Sequence, residues 1–360
     1  MDEIERIRKQ IDQLDGKLLE LLKERYEYTR LLGKIKKARR IPLKDPQRES
    51  DVLRSAHQLS MKMGLDPEPV RRIFGQVFKL SVKAQTGPAS KPTLEVSGFK
   101  VLVIGGTHGM GLFFARLADK QGAIVQIAGR SITRTRRVAR ESGLLPGRIA
   151  DVRESDIVVV SVPIGATRTV CLRLAPLMKA GSFLTDFSSV KTGIADVVAR
   201  ALPDYVEYVS LHPLFGPNAS HVFGQNIIAI PFRQGPVWQR LARLLLRDGA
   251  RIHVTTVQEH DRAMGYVQVL HHFGLICIGR CMKAWNGRFE TSSLRLTLAN
   301  IQRLVENWDT VVGIQRYNPS ASEMRQVFQR MTERTAVEGV LTAPSALKGF
   351  THVQKWSRKQ

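Results

Sequence analysis

The side chains most able to do chemistry fall in three short runs in the second half of the chain. Leu211-His212-Pro213-Leu214-Phe215-Gly216-Pro217 sets a histidine in a turn-rich segment just past a predicted strand. A neutral imidazole there could act as a general base near neutral pH. Asp186-Phe187-Ser188-Ser189-Val190-Lys191 lies at the C-terminal end of another predicted strand, the edge at which α/β sheets place their ligands. His260-Asp261-Arg262-Ala263-Met264 is followed by Gln268 and by His271-His272-Phe273. Single histidines more often pack than catalyse, so the weight rests on His212, whose surroundings are those of a site.

Upstream, Gly105-Gly106-Thr107-His108-Gly109-Met110-Gly111 joins the buried-strand run Lys100–Ile104 to a helical stretch. A strand, a glycine turn and a helix form a dinucleotide fingerprint, in which the backbone approaches a pyrophosphate at the helix N-terminus. Read as G-x-G-x-x-G, the pattern is Gly106, His108, Gly111: the middle glycine is missing, and Gly105 and Gly109 supply extra freedom. The second strand ends in Gly129-Arg130-Ser131-Ile132-Thr133-Arg134. An acid there would bind the ribose hydroxyl of NAD; two arginines and two hydroxyls suit a 2′-phosphate instead, which favours NADP over NAD. The alternative is that these arginines belong only to a basic surface.

The first 85 residues offer a different set. Arg25 and Lys36 are eleven apart and project from nearly the same face of one helix; Ser81 and Gln85 are four apart on another; Asp45, Arg48 and Glu49 cluster at the start of a third. Such residues either line a pocket between helices or are solvated surface groups.

The elements that must carry these residues follow from periodicity. Ile4, Ile7, Ile11, Leu14, Leu18 and Leu21 recur every three or four residues, a seam close to coiled-coil spacing, on a helix that runs to about Arg39. Asp45-Pro46 and Asp66-Pro67 each read as an N-cap followed by proline at the first helical position, opening helices that end near Gly64 and Gln85. Residues 86–97 hold a glycine, two prolines and small polar residues and read as a linker. Strands are then predicted at Lys100–Ile104, Ala123–Ala128, Ile157–Val162, Ser182–Asp186, Tyr208–Ser210 and Ile227–Ile230, alternating with helices as in a parallel α/β sheet. After about Thr256 the chain turns helical. The expected organisation is therefore a three-helix domain (1–88), a linker (89–97), a Rossmann-type dinucleotide-binding domain (98–256) and an all-helical C-terminal domain (257–360).

Composition narrows the class. No run of eighteen apolar residues occurs, and the opening MDEIERIRKQ has no apolar stretch of a secretory signal. The three cysteines, Cys171, Cys277 and Cys281, form no C-x-x-C pair, which suits a reduced, cytoplasmic setting; Cys277 and Cys281 share a helix face and read as core residues. The net charge is +23, with 20 basic and 13 acidic residues in the first 90 and 35 and 19 in the rest. The excess is spread, not gathered into a tail, and no zinc-finger, RNP or KH pattern accompanies it, so attraction of anionic substrates is preferred to nucleic-acid binding. No metal-ligand spacing is seen.

Taken in order, GGTHGMG, Val162-Pro163-Ile164, DFSSVK, LHPLFGP, EHDRAMGYVQVLHHF and SSLRLTLANIQRL resemble the prephenate dehydrogenase family over roughly residues 98–318, most closely its archaeal branch. The resemblance implies that His212 bonds the substrate's ring hydroxyl and takes its proton as hydride leaves, that Ser189 helps hold that hydroxyl, that Arg303 clamps the side-chain carboxylate, and that Arg295 and His272 line the pocket. It implies no metal and a helical C-terminal dimerisation domain. Residues 1–88, through I-R-x-Q-I-D-x-L-D-x-K-L-L, L-L-x-E-R, G-K-x-K, P-x-x-D-x-x-R-E and S-V-x-x-Q, resemble the all-helical chorismate mutases. That likeness assigns Arg8, Arg25, Asp45, Arg48 and Ser81 to binding and Lys36, Glu49 and Gln85 to the rearrangement, with Arg8 entering from the partner of an intertwined homodimer. Together the two likenesses imply a bifunctional enzyme of tyrosine synthesis acting on chorismate and prephenate, with no nucleic-acid or membrane partner. Two alternatives stay open: an arogenate or dual-specificity dehydrogenase whose mutase domain is regulatory and inactive, and a basic nucleic-acid-binding scaffold.

Overall fold

The structure, a computed structural model, describes residues 3–39, 41, 46–85 and 95–338. The chain divides into two compact units, Met1–Thr93 and Leu94–Gln360. In the first, α1 (Glu3–Ala38), α2 (Pro46–Lys62) and α3 (Pro67–Gln85) run between the predicted breakpoints, and α3 packs on both α1 and α2. The apolar seam of α1 stays open to solvent within one chain: Ile7, Ile11, Leu14, Leu18 and Leu21 are all exposed.

The second unit is built on an eight-stranded sheet: β1 (Lys100–Ile104), β2 (Ile124–Ala128), β3 (Leu145–Pro146), β4 (Ile157–Val160), β5 (Phe183–Asp186), β6 (Glu207–Pro213), β7 (Asn226–Arg233) and β8 (Arg251–Val254), in the order β3-β2-β1-β4-β5-β6-β7-β8. The interior strands KVLVI and IVVV are continuous apolar runs because helices cover both faces. These helices are α4 (Gly109–Asp119), α5 (Ile132–Ser142), α6 (Ile164–Leu174), α7 (Ala195–Ala201) and α8 (Pro236–Arg247). The strand order reverses between β1 and β4, and the crevice beyond the C-terminal strand ends at that point is where such sheets bind nucleotides.

The sheet departs from the expected all-parallel pattern at one place. β7 runs antiparallel to β6, pairing Pro213 with Ile227 and Ser210 with Ile230. The connection between them contains no helix, so the chain turns back beside β6 and makes no crossover. Two strands escaped the pattern reading. β3 is two residues long and ends in proline, and β8 (RIHV) is not a continuous apolar run.

After β8 come α9 (Val257–Met264), a π-helical turn over Gly265–Leu270, α10 (His271–Cys281), α11 (Ser292–Glu306), α12 (Trp308–Tyr317) and α13 (Ala321–Glu338). They do not all keep to a core of their own. Met264 joins Ile228 and Ile230, while Val269, Ile314, Ala321 and Met324 pack in the same cluster as Leu102, Val158 and Leu184 of the sheet. Leu275, Leu304 and Val311 form a smaller separate cluster. The face of α10 that carries the two nearby cysteines is not covered in the same way: Cys277 is half-buried and Cys281 exposed, so neither is the core residue the pattern suggested.

Glu207 shows how the sheet anchors a helix. Its buried carboxylate accepts the backbone N–H groups of Val237 (3.0 Å) and Trp238 (2.8 Å), two of the donors that the first turn of α8 leaves without partners. Glu207→Ala strands both and is expected to lower the unfolding free energy by about 2 kcal/mol, read as a lower midpoint in urea denaturation.

Candidate active site

The glycine turn has the close geometry its sequence suggested. A Cβ on Gly106 would press against Ile127 and the carbonyl of Val103, and one on Gly111 would meet the carbonyl of Gly105. The turn is thus a cradle that side chains would fill, which fits a dinucleotide. Gly105 and Gly109 take positive φ (84° and 58°), which lets the chain leave β1 and enter α4 directly. His108 stands where the fingerprint has its middle glycine; it is extended (φ −169°), precedes the first turn of α4 without a side-chain cap bond, is exposed and has Nδ1 3.3 Å from the hydroxyl of the buried Thr107. Met110 is half-buried in the first turn of α4. At the end of β2, Ser131 caps α5 by accepting from the Arg134 N–H (3.2 Å), and Arg130 and Arg134 are exposed beside it.

The residues of the Asp186–Lys191 run and His212 converge at the C-terminal ends of β5 and β6. Asp186, Lys191 and Tyr208 are fully buried. The Asp186 carboxylate accepts from Lys191 Nζ (3.0 Å), from the Tyr208 hydroxyl (2.8 Å) and from the Ser188 N–H (3.0 Å). Lys191 Nζ also donates to the carbonyl of Leu211 (2.8 Å), the residue before His212. Burial draws the Lys191 ammonium pKa down, against the pull of Asp186. Ser189 is half-buried, whereas its neighbour Ser188 is buried and turned inward, donating to the carbonyl of Val190 (2.8 Å).

His212 itself ends a chain of hydrogen bonds. The Asp261 carboxylate accepts the backbone N–H groups of Lys191 (3.0 Å) and Thr192 (2.7 Å) and lies 2.7 Å from His260 Nδ1. Burial alone would raise the Asp261 pKa, but the bonds from His260, Thr192 and Lys191 outweigh it and hold the group ionised. An ionised carboxylate only accepts, so His260 Nδ1 carries a proton and its Nε2 a lone pair. His212 Nδ1, 2.9 Å away, must then donate to that lone pair. The lone pair of His212 is left on Nε2, facing the side-chain nitrogen of Gln268 at 3.4 Å. Burial, then His260 and Lys191, push the His212 pKa well below the ordinary imidazole range, and burial lowers that of His260 against the pull of Asp261. His212 is therefore a neutral base with its tautomer fixed from behind.

Gln268 sits in the π turn and His272 four residues later on α10. The Gln268 Oε1 and His272 Nδ1 atoms are buried without hydrogen-bond partners among the described residues. Burial and then His271 lower the His272 pKa to about 4. No described contact joins Arg295 or Arg303 to this group: both are exposed on α11, and Arg295 pairs with Glu290 at 2.7 Å. His260, Asp261, Gln268 and Lys191 lie in runs the sequence singled out, but no role could be read for them. Among the described residues no cluster of three or more His, Cys, Asp or Glu could hold a metal, and no helix is long and apolar enough to cross a membrane.

In the first unit Arg25 reaches from α1 to donate to the Ser81 hydroxyl of α3, with its guanidinium 6.0 Å from the centre of the Phe78 ring. Burial draws the Arg25 pKa down. Lys36 is half-buried near the end of α1, Arg48 is exposed at the start of α2 and Arg8 is exposed on α1. Asp45 lies outside the described residues, as do the side chains of Glu49 and Gln85.

Residues 7–86 match the family model of type II chorismate mutases, and residues 114–226 that of the prephenate dehydrogenase nucleotide-binding domain. The second match begins after the glycine turn, so that turn stands on its geometry. The chain is 25% identical over 362 residues to the T-protein of Enterobacter agglomerans, covering 98% of this chain and 93% of that one. It is 30% identical over 240 residues to a probable arogenate/prephenate dehydrogenase of Methanocaldococcus jannaschii, covering 63% of this chain but only 54% of that protein. The crystal structure of prephenate dehydrogenase from A. aeolicus, in complex with hydroxyphenyl propionate and NAD+, superimposes with a TM-score of 0.56 at 17% identity, over 73% of this chain and 98% of that one. At that identity the likeness is one of fold.

The hydrogen-bond chain makes a sign prediction. In an NMR titration His212 and His260 should protonate below the ordinary midpoint of about 6.5. Asp261→Asn should move His260 lower still, because the carboxylate is what holds its pKa up against burial. A His260 midpoint that rises in the variant contradicts the assignment.

Proposed function

We propose that the chain, which matches the type II chorismate mutase and prephenate dehydrogenase models in turn and is similar to T-proteins over most of its length, performs both reactions of that pair in tyrosine synthesis. The first unit rearranges chorismate to prephenate, and the second oxidises and decarboxylates prephenate to 4-hydroxyphenylpyruvate. The observation that carries the reading is the neutral His212, held by His260 and Asp261 with its Nε2 lone pair turned away from them.

The residues supply the steps in order. The ring hydroxyl donates to His212 Nε2 and gives up its proton there while the C–H electron pair leaves as hydride. The bound nicotinamide ring supplies the acceptor for that hydride. The carbon becomes a carbonyl. Loss of the ring carboxylate as CO2 then returns an electron pair through the ring to the same oxygen, giving a phenolate that takes the proton back from His212. Aromatisation makes the sequence irreversible. Ser189 would bond the hydroxyl and Arg303, Arg295 and His272 would meet the remaining groups of the substrate. In the glycine cradle Gly105, Gly106, Gly109 and Gly111 would let the backbone approach a dinucleotide's diphosphate, with Thr107, His108 and Met110 completing the turn that would hold it. Arg130, Ser131 and Arg134 would hold a 2′-phosphate, which favours NADP over NAD.

In the helical unit the chemistry is pericyclic and needs no nucleophile. Arg8, Arg25 and Arg48 grip carboxylates, Lys36 and Gln85 donate to the ether oxygen, Glu49 accepts from the ring hydroxyl, and Ser81 and Asp45 complete the substrate-binding set. Positioned donors of this kind can account for roughly 8 kcal/mol of barrier lowering. The exposed seam of α1 supports an intertwined homodimer in which Arg8 serves the partner's site.

Two assays test the two halves separately. Arg25→Ala should lower chorismate turnover about 10²-fold or more while leaving oxidation of supplied prephenate intact; unchanged chorismate turnover would refute the mutase assignment. With prephenate and either cofactor, reduced nicotinamide should accumulate faster with NADP, and Arg130→Ser with Arg134→Ser should raise the KM for NADP about tenfold or more and leave that for NAD nearly unchanged. Equal effects on both cofactors remove the case for a 2′-phosphate site.

A further inference from the structure

Gln268 lies against the basic nitrogen of His212, and its own polar atoms are poorly served. Its Nε2 is 3.4 Å from His212 Nε2, longer than a well-made hydrogen bond, and its Oε1 is buried with no partner among the described residues. Buried amide atoms are ordinarily satisfied, and an exception beside a catalytic base points to a missing polar group. His272 Nδ1, on the same helix face four residues later, is a second such atom.

The backbone has been bent to bring Gln268 there. His260 and Gln268 are eight residues apart, which on an uninterrupted α-helix leaves them about 80° out of line. The π turn over Gly265–Leu270 advances less per residue and brings Gln268 back towards the side of the helix from which His260 meets His212. The turn and the helix before it are held from outside: the Gln315 side chain donates to the carbonyl of Val269 within the turn (2.8 Å), and Asn318 to that of Asp261 on α9 (3.0 Å). π turns of this kind gather at functional sites.

Building on the dehydrogenase reading above, we propose that Gln268 contacts the substrate directly and recognises the oxygen on the ring carbon that is oxidised. Its amide N–H donates to that oxygen while the hydroxyl donates to His212 Nε2, so one hydroxyl oxygen set beside the pair, about 2.9 Å from each nitrogen, takes the place of their own long contact. The same N–H meets the charge that develops when loss of CO2 returns an electron pair to the oxygen. Because an amide offers a donor and an acceptor, turning it over would let the orphaned Oε1 accept from an amino group on the same carbon. Gln268 therefore tolerates oxygen or nitrogen there. Glutamate would keep only the acceptor, and leucine neither.

The test uses the full chain as wild type, Gln268→Leu and Gln268→Glu, with para-hydroxyphenylpropionate, para-aminophenylpropionate and unsubstituted phenylpropionate as calorimetric probes. Gln268→Leu should weaken the para-hydroxy ligand about tenfold, the loss of one good hydrogen bond, and leave the unsubstituted ligand within about twofold. Gln268→Glu should retain the para-amino ligand and lose the para-hydroxy one. With prephenate, Gln268→Leu should raise KM about tenfold, in step with the para-hydroxy probe, and also cut kcat about 10²-fold, as for loss of an oxyanion donor. Equal loss for the para-hydroxy and unsubstituted probes, or no loss for either, overturns the proposal. A wild-type chain that binds none of the three probes overturns the dehydrogenase reading, and this proposal with it.

Discussion

The carboxylate of Asp261 ties together the three segments that make the site. It belongs to α9, it accepts two backbone N–H groups from the turn after β5, and through His260 it reaches His212 on β6. An ionised carboxylate in so buried a position is costly unless its lone pairs are taken up. Three donors do so, and their directions leave His260 one tautomer and His212 one free lone pair. The chemistry assigned to Nε2 thus depends on a residue that does not meet it.

The Asp186–Lys191 pair braces the same place from beneath the sheet ends. A fully buried ion pair is a poor source of stability, since apolar residues of equal volume often do as well. Its value here is positional. Lys191 Nζ holds the carbonyl of Leu211, its backbone N–H holds Asp261, and its nearby positive charge disfavours protonation of both imidazoles. The cost of burying the ammonium is offset by Asp186, and Asp186 is in turn satisfied by Tyr208 and Ser188.

Much of this was legible in the residues and part of it was not. Strong periodicity and proline-led starts marked α1 to α3, and apolar runs marked β1 and β4, because those signals are local. The glycine turn and His212 stood out because few residue types suit a tight turn or a base at a strand end. β7 was expected as a strand but its antiparallel direction was not, because strand direction depends on where the chain goes next, not on the strand's own residues. Asp261 and Lys191 look like any surface charges in sequence; only their tertiary partners make them buried and structural. The π turn carries no residue pattern of its own, so the alignment of Gln268 with His260 could not be foreseen. Arg295 and Arg303, drawn into the site by resemblance, lie exposed on α11, and within one chain nothing described brings them to His212.

The large positive charge takes a limited role beside these groups. Exposed charges are screened beyond about 8 Å at physiological ionic strength, so a surface that is basic throughout raises the local concentration of any anion without choosing among them. Choice must then come from groups that are buried and fixed. In the helical unit Arg25 meets that condition in part, held by Ser81 and flanked by Phe78. In the second unit the charges nearest the base are already engaged, Lys191 by Asp186 and Asp261 by His260 and two backbone N–H groups, and the imidazoles of His212 and His272 are neutral at neutral pH by the shifts their surroundings impose. In the proposed reading, a neutral, partly unsatisfied cluster within a basic protein separates the two tasks: surface charge gathers anions, and unpaired hydrogen-bonding atoms discriminate by the polar group each anion presents at one ring carbon.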